Sequence, residues 1–556
     1  MLYKNTVITA MPTPLPTDLY YLSNFRTALA WVNERYADLL TVEEQAFIET
    51  FHSLVWPTQG LLVRMIMRRG CHFRLSKLDY PELGDCLAAA RPLLELGWIS
   101  EQALLGAAEV AELLRKDEVL KHLPLQDRRA AQRKGELIEQ LQAQDLPART
   151  FISWCPGLDD RLLSLQVSEL CDRLRLMFFG NLAQDWSEFV LADLGVYRYE
   201  SVEISPQCRG FRSRQDLEDY LQLRALRVRF EAGETVEAVL PPLLAFSSDS
   251  PYLRSRHARQ LFQIAHHLEK CGLLEQALVV YQRSEDAQAR WRQIRVLEQL
   301  GRDAEAHEQA LAFSAVPKSD EERQRLERAL RRLRRKLGLP VPRRPKAAEA
   351  LRIELTLPTP GHGSVEMAVR DHFSTEQAPV HYVENGLLCS LFGLLCWEAI
   401  FAPLPGAFFH PFHRGPADLF SPDFHVRRQD LFKRCLARLQ DAAYPQLILE
   451  RYREKVGIQS PFVFWSLLDE QLLERALHCI PAQHLQACFA RLLLDVKANR
   501  AGMPDLIQFY PHEQRYRMIE VKGPGDRLQD NQKRWLAFAA EQGIPVEVCY
   551  VSWDAA

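Results

Sequence analysis

Gly502-Met503-Pro504-Asp505, followed by Ile519-Glu520-Val521-Lys522-Gly523, is the stretch on which the reading of this chain turns. Asp505 opens a short apolar run, Leu506-Ile507-Gln508-Phe509-Tyr510, and Glu520 lies in a second run from Arg517 to Lys522. Pro511-His512-Glu513-Gln514 between them has turn composition, so the pair reads as a β-hairpin. Side chains alternate along a strand, which puts Glu520 and Lys522 on one face and Ile519 and Val521 on the other. Asp505, at the start of the neighbouring strand, can reach the Glu520 face. Two converging carboxylates make a hard oxygen site suited to Mg²⁺ or Mn²⁺. A lysine beside them can orient a water and offset charge at a phosphate, which points to metal-assisted phosphodiester hydrolysis. The bland alternative is a surface hairpin with solvated charges.

The residues that follow favour the first reading. Gly523-Pro524-Gly525-Asp526 is a turn with Asp526 as an N-cap, and a helix is expected from about Arg527 to Gln542, with Gln532 and Trp535 three positions apart. Val546-Glu547-Val548-Cys549-Tyr550-Val551 reads as a closing strand. The unit is then β-β-α-β, an α/β core with a mixed sheet and its charges gathered at one end.

This segment resembles the VRR-NUC branch of the PD-(D/E)XK nucleases and, within it, a bacterial form of the Fanconi-associated nuclease family. The likeness is strong over about residues 365 to 556 and looser before them. It also takes in His381-Tyr382-Val383-Glu384-Asn385-Gly386 and the apolar run after it. The resemblance implies that Glu384 is an acidic metal ligand beside Asp505 and Glu520, with the Val521 carbonyl as a further oxygen. It implies one or two divalent cations, Lys522 positioning the attacking water, and Gln532 helping to hold that water or Lys522. Read without it, Glu384 is a first-turn acid favoured by the helix dipole.

Composition sets outer limits. At 556 residues the chain calls for three or four domains, and 47% hydrophobic with 25% charged residues is ordinary for a folded soluble protein. A net charge of −3 means that nucleic acid must be held by local patches. The 12 cysteines include no CxxC pair, which speaks against structural zinc, and the default is buried thiols in a reducing cytoplasm, nucleoid-associated in a bacterium. No signal peptide or membrane span is expected; the longest apolar run, Leu387 to Leu404, reads as a core helix.

Upstream the chain reads as mostly helical. Residues 1–114 form an expected helical DNA-binding domain, in which Arg64, Arg68, Arg69, Arg74 and Lys77 mark a phosphate-contacting surface against the bland reading of a solvated face. Residues 115–145 look like a SAP-type helix-loop-helix with a basic connection, Arg128, Arg129, Arg133 and Lys134; an ordinary helical hairpin is the competitor. Residues 146–245 continue the DNA-binding region, and Arg209, Arg212 and Arg214 around Gly210 form a candidate phosphate site before a helix. Residues 246–345 hold degenerate TPR-like hairpins: Gly272 with Ala277 is echoed by Gly301 with Ala306. They end in a basic run, Arg323 to Lys346, with eleven Lys or Arg and one acid, whose arginine face is expected to hold duplex DNA near the metal. A nuclease domain over 365–556 follows a linker.

The expected function is structure-specific DNA cleavage. The family resemblance implies a 5′-flap endonuclease with 5′-to-3′ exonuclease activity in interstrand crosslink repair, acting on branched or flapped double-stranded DNA. The chain lacks the Cys/His-rich ubiquitin-binding zinc finger of eukaryotic relatives, so recruitment by ubiquitin is not implied. The rivals are a four-way junction resolvase-like nuclease and a non-catalytic branched-DNA-binding scaffold.

Overall fold

A computed structural model describes residues 19–126, 132–184, 186, 197–342, 350–358 and 363–554. The chain divides into two units, residues 1–196 and 197–556, so the division falls inside the 146–245 segment that the sequence suggests is one piece.

In the first unit, apolar helical periodicity produces the helices Tyr20–Tyr36, Val42–Ser53 and Trp56–Ile66. Thr41 and Glu44 close the start of the second with a reciprocal capping box. Phe25 packs edge-on against Phe51 and Trp186, with ring centroids 5.2 and 5.0 Å apart. Three short antiparallel strands, β1 (His72–Arg74), β2 (Ile99–Ser100) and β3 (Leu162–Leu165), form a sheet with β3 in the middle. The SAP-like segment is wider than 115–145. Its helices are Ala107–Leu113, Lys116–His122 and Lys134–Gln142, and their shared core of Val110, Val119, Leu137 and Leu141 also takes in Phe151 and Trp154. Leu105 pairs with Arg149 and accepts from the Trp154 indole, which closes the segment at both ends.

The second unit begins with the helix Arg214–Glu231 and continues through the paired helices Pro251–Lys270 with Leu274–Arg283 and Ala289–Gln299 with Asp303–Ala315. Gly272 and Gly301 take the same left-handed conformation at corresponding helix ends (φ 78° and 74°), as the repeat in the sequence implies. The helix Asp320–Lys336 buries Leu326, Ala329 and Leu333.

The remainder is built on a five-stranded sheet of β4 (Leu351–Leu357), β5 (Val380–Tyr382), β6 (Leu506–Tyr510), β7 (Arg515–Lys522) and β8 (Val546–Trp553), in spatial order β4-β8-β7-β6-β5. β4, β8 and β7 run parallel, while β6 is antiparallel to both β7 and β5. The expected hairpin is β6–β7, turned by Pro511–Glu513. The expected helix runs Asp530–Glu541, capped by Gln529 rather than Asp526; Asp526 instead accepts from the Gly523 N–H. The sheet starts earlier than 365, because Leu351–Leu357 is its parallel edge strand. The apolar run after Gly386 is helical over Leu387–Leu395 and breaks at Cys396. No described helix is long and apolar enough to cross a membrane.

Candidate nuclease site

The hairpin register creates the site. Leu506 pairs with Ile519, so the residue before Leu506 stands beside the residue after Ile519. Ile519 and Val521 point into an apolar cluster with Leu506, Val369 and Cys549. Glu520 and Lys522 therefore face the opposite side, where both are buried with Asp505.

Burial of like charges dominates the electrostatics. Desolvation, and then the Asp505 charge, raise the Glu520 carboxyl from its ordinary 4.5 to about 7. Burial raises Asp505 from 3.8 to about 6, opposed by the Val521 N–H, which donates to Asp505 Oδ2 at 2.8 Å. Lys522 Nζ lies 2.7 Å from Glu520 Oε1 as an ion pair, but that buried oxygen receives no well-directed hydrogen bond. A hard cation is the partner that such oxygens lack.

Glu384 stands on an exposed turn before the helix Leu387–Leu395, not within it. The turn is fastened to the hairpin by Val383 N–H donating to the Asp505 carbonyl at 2.8 Å. Tyr382 and Asn385 each donate to one Glu384 oxygen. Glu366, in the first turn of the helix Val365–Phe373, adds its charge to the field at Asp505. The sequence reading passed over Glu366, although Ser364 before it is a helix-start signal. Among the described residues, no three His, Cys, Asp or Glu side chains stand as a finished metal cage; Asp505, Glu520 and Glu384 each hold a protein partner. The donor set still fits a hard cation, with buried acids of raised pKa and one oxygen without a directed donor.

Gln532 does not turn to Lys522. Its Oε1 accepts from Gln529 N–H at 2.8 Å and caps its own helix. The same first turn supports the approach to Asp505: Gly502 has φ +91°, and a Cβ there would come within 2.8 Å of Asn531.

The arginine clusters divide. Arg74 is buried between Glu118 and Asp160, at 2.6 Å from each, which corrects its assignment to a DNA surface. Arg64 lies against Glu82 at 2.6 Å and over the Tyr21 ring. Arg68, Arg69 and Lys77 remain exposed. Lys134 donates to the Glu112 carbonyl, while Arg128 and Arg129 fall outside the described residues. Arg209 is buried and Arg214 pairs with Glu218, which leaves Arg212 exposed. The glycine in this cluster is a packing residue: a Cβ on Gly210 would lie 1.7 Å from the Phe409 ring.

Comparison with known proteins gives the same reading of the fold. The VRR-NUC domain family matches residues 439–553, the FAN1 HTH domain residues 19–100, and the Fanconi anemia-associated nuclease SAP domain residues 104–154. A Fanconi-associated nuclease 1 homolog of Pseudomonas aeruginosa is 54% identical over 540 residues, which is 97% of each chain. The chain belongs to the Fanconi-associated nuclease family. It is a nuclease of DNA repair. An Arabidopsis thaliana homolog is 26% identical over 97% of this chain and 68% of its own. The crystal structure of paFAN1 bound to DNA with a 2-nucleotide 5′ flap and a gap is similar, with a TM-score of 0.89, covering 98% of this chain and all of that one. A second paFAN1 complex, with a 1-nucleotide 5′ flap, gives 0.88.

Proposed function

We propose that this nuclease hydrolyses DNA phosphodiester bonds with one or two divalent cations, Mg²⁺ or Mn²⁺, held by Glu384, Asp505, Glu520 and the Val521 carbonyl. The observation that carries the reading is the buried Asp505–Glu520 pair, with its raised carboxyl pKa values and a lysine at 2.7 Å. When bound, the cation supplies Lewis-acid activation of the phosphate and of water. Lys522 is a cation and cannot ligate while protonated. It orients the attacking water and stabilises the extra negative charge on the pentacovalent phosphate. Burial strengthens that interaction, because water is largely excluded around Glu520 and Lys522.

The substrate is flapped double-stranded DNA, cut on the 5′ flap and degraded from 5′ ends, as befits crosslink repair at the bacterial nucleoid. A metal site alone hydrolyses any phosphodiester that reaches it. Discrimination therefore needs contacts to the flanking duplexes, for which the exposed Arg68, Arg69, Lys77 and Arg212 are the candidates. End-labelled 5′-flap, 3′-flap, nicked and four-way substrates compared with Mn²⁺ test this. Preferential cutting at the 5′ flap is expected. Symmetric cleavage of the four-way junction would replace the flap reading with the resolvase one, and binding without cleavage would leave a scaffold.

A further inference from the structure

Two of the three carboxylates are set by the sheet. Asp505 and Glu520 are locked by the β6–β7 register and by the Val521 N–H. Glu384 has no such frame, because it lies in the turn Val383–Gly386, closed by the Gly386 N–H donating to the Val383 carbonyl at 2.8 Å. The Val383 N–H ties the turn's backbone to the Asp505 carbonyl, but strand register does not set the Glu384 side chain.

We propose that Asn385 is a positioning residue that ties Glu384 to the chain entering Asp505. Its Nδ2 donates to Glu384 Oε1 at 3.1 Å, and its Oδ1 accepts from the Met503 N–H at 3.0 Å. Met503 is two residues before Asp505, so one amide side chain bridges the segments that carry two of the acids. An amide has both a donor and an acceptor, whereas a carboxylate here could only accept and would repel Glu384. Tyr382, at the end of β5, donates to the other Glu384 oxygen. The backbone carries a matching sign. Asn385 has φ +53° and is one of only two non-glycine residues with positive φ among those described. That conformation is unfavourable for an L-residue and persists where the surroundings enforce it. Asparagine is among the residues that tolerate this conformation best, so the turn accommodates it, and the two hydrogen bonds of its amide are what assign it the bridge.

The inference rests on Glu384 being a ligand, and one experiment separates the two ideas. Mn²⁺ binding by the full-length protein is followed through the electron paramagnetic resonance signal of free Mn²⁺, for the wild type, Asn385→Gly, Glu384→Gln and the double variant. Asn385→Gly keeps the positive φ accessible and removes only the bridge, so the fold is retained. It is expected to weaken Mn²⁺ binding by about tenfold, the scale of losing a group that orients a metal ligand. It is also expected to raise the Mn²⁺ concentration for half-maximal cleavage while leaving the rate at saturating Mn²⁺ nearly unchanged. In the Glu384→Gln background the same change should cost nothing further, because the ligand it positions is gone. Wild-type Mn²⁺ affinity in Asn385→Gly, with Glu384→Gln impaired, overturns the positioning role and leaves the metal site standing. An equal loss in both backgrounds overturns it too, since the asparagine would then serve the turn in general. Unchanged affinity in Glu384→Gln overturns the assignment of Glu384 and the bridge with it.

Discussion

The second unit contains two dense groups of charge that are built in opposite ways. Along the helix Asp320–Lys336 the charges are answered from within the protein. Arg325 pairs with Glu321, Arg332 with Glu298 at 2.7 Å, Lys336 with Asp303 at 3.0 Å and Arg328 with Asp530. Acids fill the first turn and bases the last, as the helix dipole favours. At the end of the β6–β7 hairpin, two buried acids, Asp505 and Glu520, share a corner with one buried lysine, and the exposed Glu384 adds its charge at the edge, so the acids outnumber the base. Charge density in a sequence is thus a poor guide to function, while unbalanced buried charge is a good one. Five of the eight cations of the helix expected to hold duplex DNA pair with acids of the protein, through side chains that stay partly exposed.

The largest effects should come from the unbalanced corner. Asp505→Ala or Glu520→Ala should reduce cleavage to background while retaining DNA binding, because affinity rests mainly on phosphate contacts elsewhere. Gel-shift and cleavage assays at matched concentration measure both. Undiminished cleavage by either variant sinks the assignment. Lys522→Ala should lose about 10²–10³-fold in rate, as for a lost transition-state donor, while still binding Mn²⁺.

Arg74 offers the sharpest contrast among the arginines. Its guanidinium joins β1 to the helix Lys116–His122 through Glu118, and to Asp160 before β3. Arg74→Ala would take the shared cation from two buried carboxylates, which keep hydrogen bonds from Arg115, Ser76 and Arg161, at about 3 kcal/mol, read as a shift of the denaturation midpoint. Arg69→Ala, at an exposed position, should leave that midpoint alone and weaken DNA binding, with a shallower salt dependence. Equal stability of the two variants would mean that the buried pairing of Arg74 is incidental.

This contrast also shows what the sequence could carry. The hairpin, the β-β-α-β order and the face shared by Glu520 and Lys522 were legible, because strand alternation is local and the turn composition was strong. Strand β4 was not recognised, although Ile353, Leu355 and Leu357 alternate, because the basic linker before it drew the boundary too late. Arg74 and Arg64 read as surface charge because their partners, Glu118, Asp160 and Glu82, are 18 to 86 residues away. The site role of Gln532 comes from the family resemblance, while an N-cap expected at Asp526 hides its use as a cap. Asn385-Gly386 is a turn dipeptide in the sequence, but the bond from Asn385 to the Met503 N–H spans 118 residues and is invisible until the fold is built.

Protons and cations should compete at the corner. Glu520 is raised to about 7 and Asp505 to about 6. Between about pH 4 and 7 the folded protein then holds more protons at these positions than the unfolded chain does. Their contribution to stability is present at low pH and falls as pH rises through the folded values. Without divalent cation, the melting temperature of the wild type relative to Asp505→Asn/Glu520→Gln should therefore decline from pH 5 to pH 8. Added Mn²⁺ binds the deprotonated acids, so its stabilising shift should grow over the same range. A Mn²⁺ shift independent of pH would separate cation binding from these two carboxylates.

The smallest expected effect is at the balanced end. Arg328 and Asp530 meet in a two-pronged contact, with Nη2–Oδ1 at 2.6 Å, where the helix Asp320–Lys336 touches the first turn of Asp530–Glu541. Both side chains are about half exposed, at 48% and 47%, so the pair is worth no more than about 1 kcal/mol. Two neighbouring contacts, Arg491 to Asp320 at 3.3 Å and Arg534 to Gln324 at 2.8 Å, hold the same seam without it. Arg328→Ala should thus move the melting temperature by a degree or two and leave cleavage nearly intact. The exchanged pair, Arg328→Asp with Asp530→Arg, should recover most of that loss. If the single variant instead lost cleavage as severely as Lys522→Ala at unchanged stability, Arg328 would be contacting substrate. The helix would then belong with the unbalanced corner, because its pairing in the free protein would be one that DNA displaces.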